Sequence, residues 1–427
     1  MTGVITADPN PVRVSDRSGL GVTTLSWTSE GVEMVEVRVG APDGPLFSRS
    51  GPVGQAQTGQ WVSDGMIFYL QDVSGGLPLT SAHTLATVTV KVEAAAGERS
   101  PRALILIYHR VAEVCPDPWS LCVRPQHFAE QLEVLRKHAR VLRLRELVAA
   151  LLESRLPDQS VVVTFDDGYA DNLSQAKPLL ERYGIPATCF LTTGWLGCAR
   201  EFWWDELDRL LLQSGSLPET LRLKIRGEEY HWELGEAARY DAEAYHSHRR
   251  WRAWGEPDPS PRHLLYRAIY RLLYPLPEAK RRAAQDELLA WAGAELAARP
   301  SHRPLSHQEI AALAEGDLIE IGAHTITHSL LAAAPTSVQR REIVQSKAQL
   351  EELVGQPVRS FAYPFGKRGD YTEETVTIVR ESGFACACSN FPGAVTGGVD
   401  HFQLPRMFVE DCDGEEFTRQ LWLWLKA

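Results

Sequence analysis

The run Val161-Val162-Val163-Thr164-Phe165-Asp166-Asp167-Gly168-Tyr169 constrains this chain more than any other stretch. Consecutive β-branched and apolar residues describe a strand buried on both faces, as in a parallel sheet covered by helices. That strand ends in two adjacent carboxylates and a glycine. Desolvating two neighbouring aspartates is costly, so their charge must be offset, most simply by a cation. Adjacent residues on a strand point in opposite directions, which allows the two carboxylates different tasks. Asp-Asp-Gly is also ordinary turn chemistry, and alone the stretch admits that plainer reading.

A second segment, Asp317-Leu318-Ile319-Glu320-Ile321-Gly322-Ala323-His324, again runs from an apolar strand to a polar end and continues as Thr325-Ile326-Thr327-His328. His324 and His328 are four residues apart, on one side of a helical turn or tight loop. Neutral imidazole is a common ligand of zinc and similar divalent ions, and two histidines with a carboxylate leave an open coordination position. With thirteen histidines in the chain, a pair at this spacing arises easily by chance. Its weight comes from its place after a strand in a chain that also carries Thr-Phe-Asp-Asp-Gly. A third segment, Arg359-Ser360-Phe361-Ala362-Tyr363-Pro364-Phe365-Gly366, takes a short strand into a proline–glycine turn. Backbone N–H groups there are freed from the ladder and can face a ligand. Alone, it also reads as a loop with packed aromatics.

Together the three segments resemble the NodB-homology, or polysaccharide deacetylase, family (carbohydrate esterase family 4) over about residues 101–427. The resemblance implies a distorted (β/α) barrel with its site at the C-terminal ends of the strands. It implies Asp166 as catalytic base, with Asp167, His324 and His328 as ligands of a divalent metal. Zinc comes first, with cobalt, nickel, manganese or iron as alternatives. It also gives Phe365 the backbone N–H that meets the oxyanion.

Two positions depart from the family pattern. Ala362 stands where many members carry an arginine that orients the catalytic aspartate. Arg406, in Leu404-Pro405-Arg406-Met407, is a candidate substitute, with a surface arginine beside a turn as the competing reading. The family's usual C-terminal histidine, its general acid, is absent from Leu421-Trp422-Leu423-Trp424-Leu425. His109 follows the apolar strand Ala103-Leu104-Ile105-Leu106-Ile107-Tyr108 and resembles the acid of the poly-N-acetylglucosamine deacetylase branch. A lone histidine at a strand end is more often a satisfied polar residue, but with the usual acid missing the resemblance makes His109 the expected general acid.

Composition narrows the function classes. A hydrophobic fraction of 44% and a charged fraction of 23% fit a globular protein, and 427 residues exceed one ordinary domain. A net charge of −11 argues against a nucleic-acid partner, which would need clustered Lys and Arg. No uninterrupted apolar run of about 18 residues indicates a membrane span. Met1-Thr2-Gly3-Val4-Ile5-Thr6-Ala7-Asp8 has neither a basic leader nor an apolar core, so no secretory signal is expected. The seven scattered cysteines read as reduced thiols, and a cytoplasmic location is the expectation. The oligomeric state is left open.

Residues 1–97 show the alternation of half-buried strands in Thr23-Thr24-Leu25-Ser26-Trp27, Val35-Glu36-Val37-Arg38-Val39 and Ala86-Thr87-Val88-Thr89-Val90-Lys91-Val92. A small all-β sandwich of immunoglobulin-like size is expected, ending in a linker at 97–101. Trp27 and Trp61 offer either a sugar-stacking face or, more simply, core packing. Beyond residue 101, helical stripes (Phe128, Leu132, Leu135; Leu144, Leu147, Leu151) alternate with strands. Helices are expected at 171–183 and 338–353 and a strand at 187–191. The stretch of about 200–305 is a helical insertion, read as a cap over the barrel mouth or as a peripheral or dimerising element.

The expected activity is removal of an N-acetyl group from an amino sugar in a glycan or glycan precursor. A deformylase or other small-acyl amide hydrolase is the nearest alternative. A non-catalytic glycan-binding protein on an enzyme scaffold is the more distant one.

Overall fold

The computed structural model describes residues 2–14, 20–94 and 101–426, which form two compact units that divide between Arg99 and Ser100. Most of the proposed linker, residues 97–100, lies outside the described residues. The N-terminal unit contains a three-stranded antiparallel sheet with Thr24–Glu30 between Thr2–Asp8 and Val53–Gln57. A four-stranded antiparallel sheet runs Leu46–Ser50, Val35–Val39, Met66–Asp72, Thr84–Val90. Leu25, Trp27, Val35, Val37, Phe68 and Leu70 form its core. Trp27 is 2% exposed and its indole N–H donates to Ser50 Oγ at 3.0 Å, so the suggested pairing of Trp27 with Trp61 as a sugar-stacking face does not form.

The larger unit is built on a parallel sheet. Its strands are β1 (Ala103–Tyr108), β2 (Ser160–Phe165), β3 (Ala187–Leu191), β4 (Ile319–Ala323), β5 (Ser360–Ala362), β6 (Cys386–Cys388) and β7 (Met407–Phe408). The spatial order is β6-β5-β4-β3-β2-β1-β7, every pairing parallel. From β1 to β6 chain order thus becomes spatial order, as expected when each strand returns through a crossover beside its predecessor, and β7 returns on the other side of β1. β1 and β2 are buried along their whole length, which explains their unbroken apolar composition. Gly322 in β4 is required by packing: a Cβ there would meet the Phe190 ring at 2.4 Å.

The two ends of the sheet curl toward each other. Only an isolated bridge, Cys388 to Leu404, joins β6 to the segment entering β7 among the described residues. The distorted barrel is therefore an incompletely closed, curled sheet. The helix expected at 171–183 begins as a π turn, Asn172–Ala176, before Lys177–Tyr183 becomes α-helical.

The insertion is not purely helical, which corrects the sequence expectation. Thr220–Ile225 and Glu228–Glu233 form a hairpin in which Ile225 faces Glu228. Arg226 and Gly227 both have positive φ, 55° and 88°, as a two-residue hairpin turn requires. Leu221, Leu223 and Ile225 alternate inward, a period of two set among neighbouring helix formers. The rest is helical, chiefly Trp203–Leu211, Pro261–Leu273 and Glu278–Ala292.

Candidate active site

The chemistry-bearing residues follow the C-terminal ends of successive strands: His109 after β1, Asp166 and Asp167 after β2, His324 after β4, and Phe365 in the turn beyond β5. With His328 they line one cleft of about 980 Å³. Four of these loop residues hold left-handed backbone without being glycine: Asp167 (φ 75°), Thr325 (65°), His328 (53°) and Phe365 (60°). Such conformations cost roughly 1–3 kcal/mol each and persist where surrounding contacts over-determine them. His324 and His328 are therefore joined by a tight loop rather than by a helical turn.

Those contacts are visible. Ile326 and Thr327 donate their backbone N–H groups to Glu342 Oε2, both at 2.9 Å, and Thr327 Oγ1 donates to Oε1 at 3.1 Å. Glu342 lies on the helix Thr336–Val354, so a core helix fixes the His328 loop. The insertion adds Arg281, whose guanidinium donates to Thr327 O at 3.1 Å. Trp204 packs its ring 4.8 Å from that of His328 and donates its indole N–H to the Tyr169 hydroxyl at 2.7 Å. That hydroxyl in turn donates to Asp205 at 2.7 Å.

Asp167, His324 and His328 bring three ligand atoms within 4.8 Å of one another, all from buried residues. Asp167 Oδ1 is 3.5 Å from His324 Nε2 and 3.3 Å from His328 Nε2. His324 Nδ1 lies 2.8 Å from Ala362 O, so Nδ1 carries the proton and Nε2 keeps its lone pair facing the carboxylate. Asp167 Oδ1 has no hydrogen-bond partner despite full burial, a cost that a cation would remove. The donor set of two imidazoles and one carboxylate fits a divalent metal with an open position. A second group, Asp205, Asp208 and His302, is equally tight, but its acids are already engaged. Tyr169 donates to Asp205, and Arg299 pairs with Asp208 at 2.8 Å.

Asp166 stands outside the ligand trio, with Oδ2 3.9 Å from His324 Nε2. Arg406 grips it with two parallel bonds, Nη1 to Oδ1 at 2.7 Å and Nη2 to Oδ2 at 2.6 Å. The guanidinium is 1% exposed, does not line the cleft, and also donates to Ser389 O at 2.7 Å and Thr164 Oγ1 at 3.2 Å. It is thus an interior residue at the seam between β6 and β7, not a surface arginine. Burial alone would push the Asp166 carboxyl up, but Arg406, aided by His324, outweighs it and holds the group below the usual carboxylate range. Burial likewise opposes ionisation of Asp167, and the neighbouring imidazoles of His324 and His328 outweigh it. Burial takes His328 down to about 4 against the pull of Asp167, leaving it neutral at pH 7. For His324 burial also lowers, yet Asp166 and Asp167 together raise it.

His109 faces the cleft with its Nδ1 buried and without a partner. Its backbone is fixed from two sides. Asn172 in the π turn donates to His109 O at 2.9 Å, and Asp171 accepts from Val111 N–H at 3.0 Å while pairing with Arg110. Burial lowers its pKa, although the carboxylates of Asp167 and Asp166 push the other way. Phe365 forms an edge-to-face contact with His328, centroids 4.5 Å apart, and its backbone N–H bonds to no described residue. The opposite wall comes from the insertion: Trp204, Trp254, Arg267, Tyr270, Arg271 and Tyr274. Sequence reading assigned none of these, nor Glu342. The spacing of 267, 270, 271 and 274 is the one signal that marked a helix face.

Residues 153–215 and 291–387 match the family model described as polysaccharide deacetylase; residues 216–290, most of the insertion, fall between the two matches. Among curated proteins, the chain is 36% identical over 108 residues to a poly-beta-1,6-N-acetyl-D-glucosamine N-deacetylase of Staphylococcus epidermidis, covering 22% of this chain and 37% of that protein. It is 32% identical over 108 residues to the enzyme of the same description from Staphylococcus aureus, with the same coverage. The chain thus spans little more than a third of the length of these relatives. Solved structures with some likeness include IcaB from Ammonifex degensii, at 18% identity, 77% and 99% coverage of the two chains and a TM-score of 0.47. The two matched stretches carry Asp166, Asp167, His324, His328 and Phe365, and over them the chain is similar to the polysaccharide deacetylase family.

Proposed function

We propose that this protein is a metal-dependent hydrolase that removes the acetyl group from N-acetylated amino sugars of a glycan. One observation carries the reading: a three-ligand set with an open side stands beside a second, separately held carboxylate, Asp166, in one aromatic-walled cleft. A structural ion site would need no such neighbour. The matched relatives are described as N-deacetylases of an N-acetylglucosamine polymer, and that substrate class is the first candidate.

A divalent cation on Asp167, His324 and His328, zinc in the first instance, would supply Lewis acidity to polarise the acyl carbonyl and acidify a water. Arg406 keeps Asp166 ionised at neutral pH and fixes the plane of its carboxylate, so Asp166 serves as base for the water proton. The Phe365 N–H donates to the oxygen that becomes the oxyanion; such a donor is worth about 10²- to 10³-fold in rate. His109 protonates the departing sugar nitrogen. Because burial keeps its resting imidazole neutral, that proton arrives during turnover, with the proton abstracted from water as the nearest source. Acetate and a free amino sugar leave. All seven cysteines are free, which supports a reducing, cytoplasmic site of action and a soluble or lipid-linked precursor as substrate; cell fractionation checks this part.

The test is acetate release from N-acetylglucosamine oligosaccharides by metal-loaded and chelator-stripped protein, with N-formyl oligosaccharides in parallel. Metal-dependent acetate release is expected. Formate release alone would move the reading to a deformylase. A tightly bound glycan with no turnover under any metal would move it to a binding protein.

A further inference from the structure

The insertion wall carries charge that the hydrolysis leaves unused. Arg267, Tyr270, Arg271 and Tyr274 stand at i, i+3, i+4 and i+7 along and just beyond the helix Pro261–Leu273, and all four line the cleft. Tyr274 rests on Phe365, ring centroids 4.2 Å apart, which sets this face against the oxyanion turn. Lys367 follows that turn and lines the same cleft.

The charges can be paired off one by one. Arg267 is engaged by Asp258 at 3.1 Å and by Glu256 O at 2.6 Å. Glu410 is neutralised by Arg252 at 2.8 Å. Asp166 has Arg406, and Asp167 has the cation its ligand set would hold. The guanidinium of Arg271 and the ammonium of Lys367, both on exposed residues, make no hydrogen bond or ion pair with any described residue. One acid, Asp370, remains on the rim, and it already accepts from the Tyr274 hydroxyl and the Lys367 backbone N–H, both at 2.8 Å. The rim is therefore net positive in a chain whose overall charge is −11.

We propose that Arg271 and Lys367 form an anion subsite of this cleft, which binds a phosphate or carboxylate carried by the glycan substrate. A guanidinium presents a planar fork to such an anion and an ammonium a compact charge, a pairing suited to three- or two-oxygen anions. Trp254, 44% exposed on the same wall, adds an aromatic face on which a neighbouring sugar ring can lie. A positive rim around a low-dielectric cleft also raises the local concentration of anionic ligands. The inference rests on the cleft being the glycan site.

Binding to the metal-loaded protein, read by tryptophan fluorescence, tests it. The probes are N-acetylglucosamine, N-acetylglucosamine 1-phosphate and an N-acetylglucosamine–glucuronate disaccharide. Two solvent-facing charge contacts are together worth roughly 3- to 10-fold, so one or both anionic probes should bind tighter by that factor. The advantage should shrink at high salt and vanish in the R271Q/K367Q double variant. Which anionic probe gains identifies phosphate or carboxylate. Equal affinity for all three probes overturns the subsite. So does an anion preference that survives in R271Q/K367Q, because the anion would then sit elsewhere, on the metal itself. Acetate release from the same compounds separates this from the activity. A charge preference without turnover keeps the subsite and removes the deacetylase reading; turnover without a preference does the reverse.

Discussion

Replacing Arg406 with methionine removes the charge that faces Asp166 while keeping much of the side-chain volume. Both partners are nearly inaccessible, 1% and 3% exposed, and they share two bonds of 2.7 and 2.6 Å. Water cannot replace the guanidinium readily at that depth. Breaking a buried pair by deleting one partner costs about 3–5 kcal/mol, because a desolvated charge is left behind. Asp166 can escape part of that cost by taking up a proton. In the wild type its carboxyl is held low by Arg406 against burial, so it stays ionised well into the acid range. In R406M burial prevails and its pKa moves upward. A base that must be ionised then loses activity as pH falls from a higher starting point, so the acid limb of kcat/KM shifts to higher pH. The assay is acetate release across pH, with metal content measured on each sample, together with urea unfolding at neutral pH. A folded R406M protein whose pH profile superimposes on the wild type, lower only in amplitude, would refute the reasoning. R406K should fall between the two, since it restores the charge without the two-pronged geometry.

His324→Ala and His328→Ala should each lose metal and activity together, checked by metal analysis and turnover on the same preparations. His109→Ala should keep its metal and lose about 10²- to 10⁴-fold in turnover on amides, with a smaller loss on activated esters whose leaving groups need no proton; equal rates on both would make His109 structural. Metal affinity should weaken as pH falls, because protons compete for His324, whose pKa the two carboxylates raise in the metal-free site, and a titration at several pH values reads this directly. Glu342→Gln keeps a weaker acceptor for Ile326 and Thr327, so metal affinity should drop modestly while the fold persists, as chelator competition would reveal.

Local patterns made much of the site legible. Three valines and a Thr-Phe-Asp-Asp-Gly end place β2 and its carboxylates, because a strand buried on both faces has few other compositions. The two histidines were readable because they close a similar strand four residues apart. Arg406 was not decidable, since its contact with Asp166 spans 240 positions and follows from the curling that brings β7 beside β1. Glu342 looks like any acidic residue on an amphipathic helix; only the loop folded over it gives it a task. The hairpin at Thr220–Ile225 carries its alternation openly but sits among strong helix formers, whose composition masks a period of two over so short a run. The cleft wall built by Pro261–Leu273 depends on where the insertion comes to rest, which no local pattern encodes.

The division of labour between the two adjacent aspartates is the centre of the account, and metal stoichiometry with turnover in Asp166→Asn and Asp167→Asn tests it most directly. Asp166 is bound by Arg406, and Asp167 faces the two imidazoles. Asp166→Asn should therefore retain its metal and lose turnover, while Asp167→Asn should lose metal first and activity with it. Metal lost from Asp166→Asn and retained in Asp167→Asn would contradict the account.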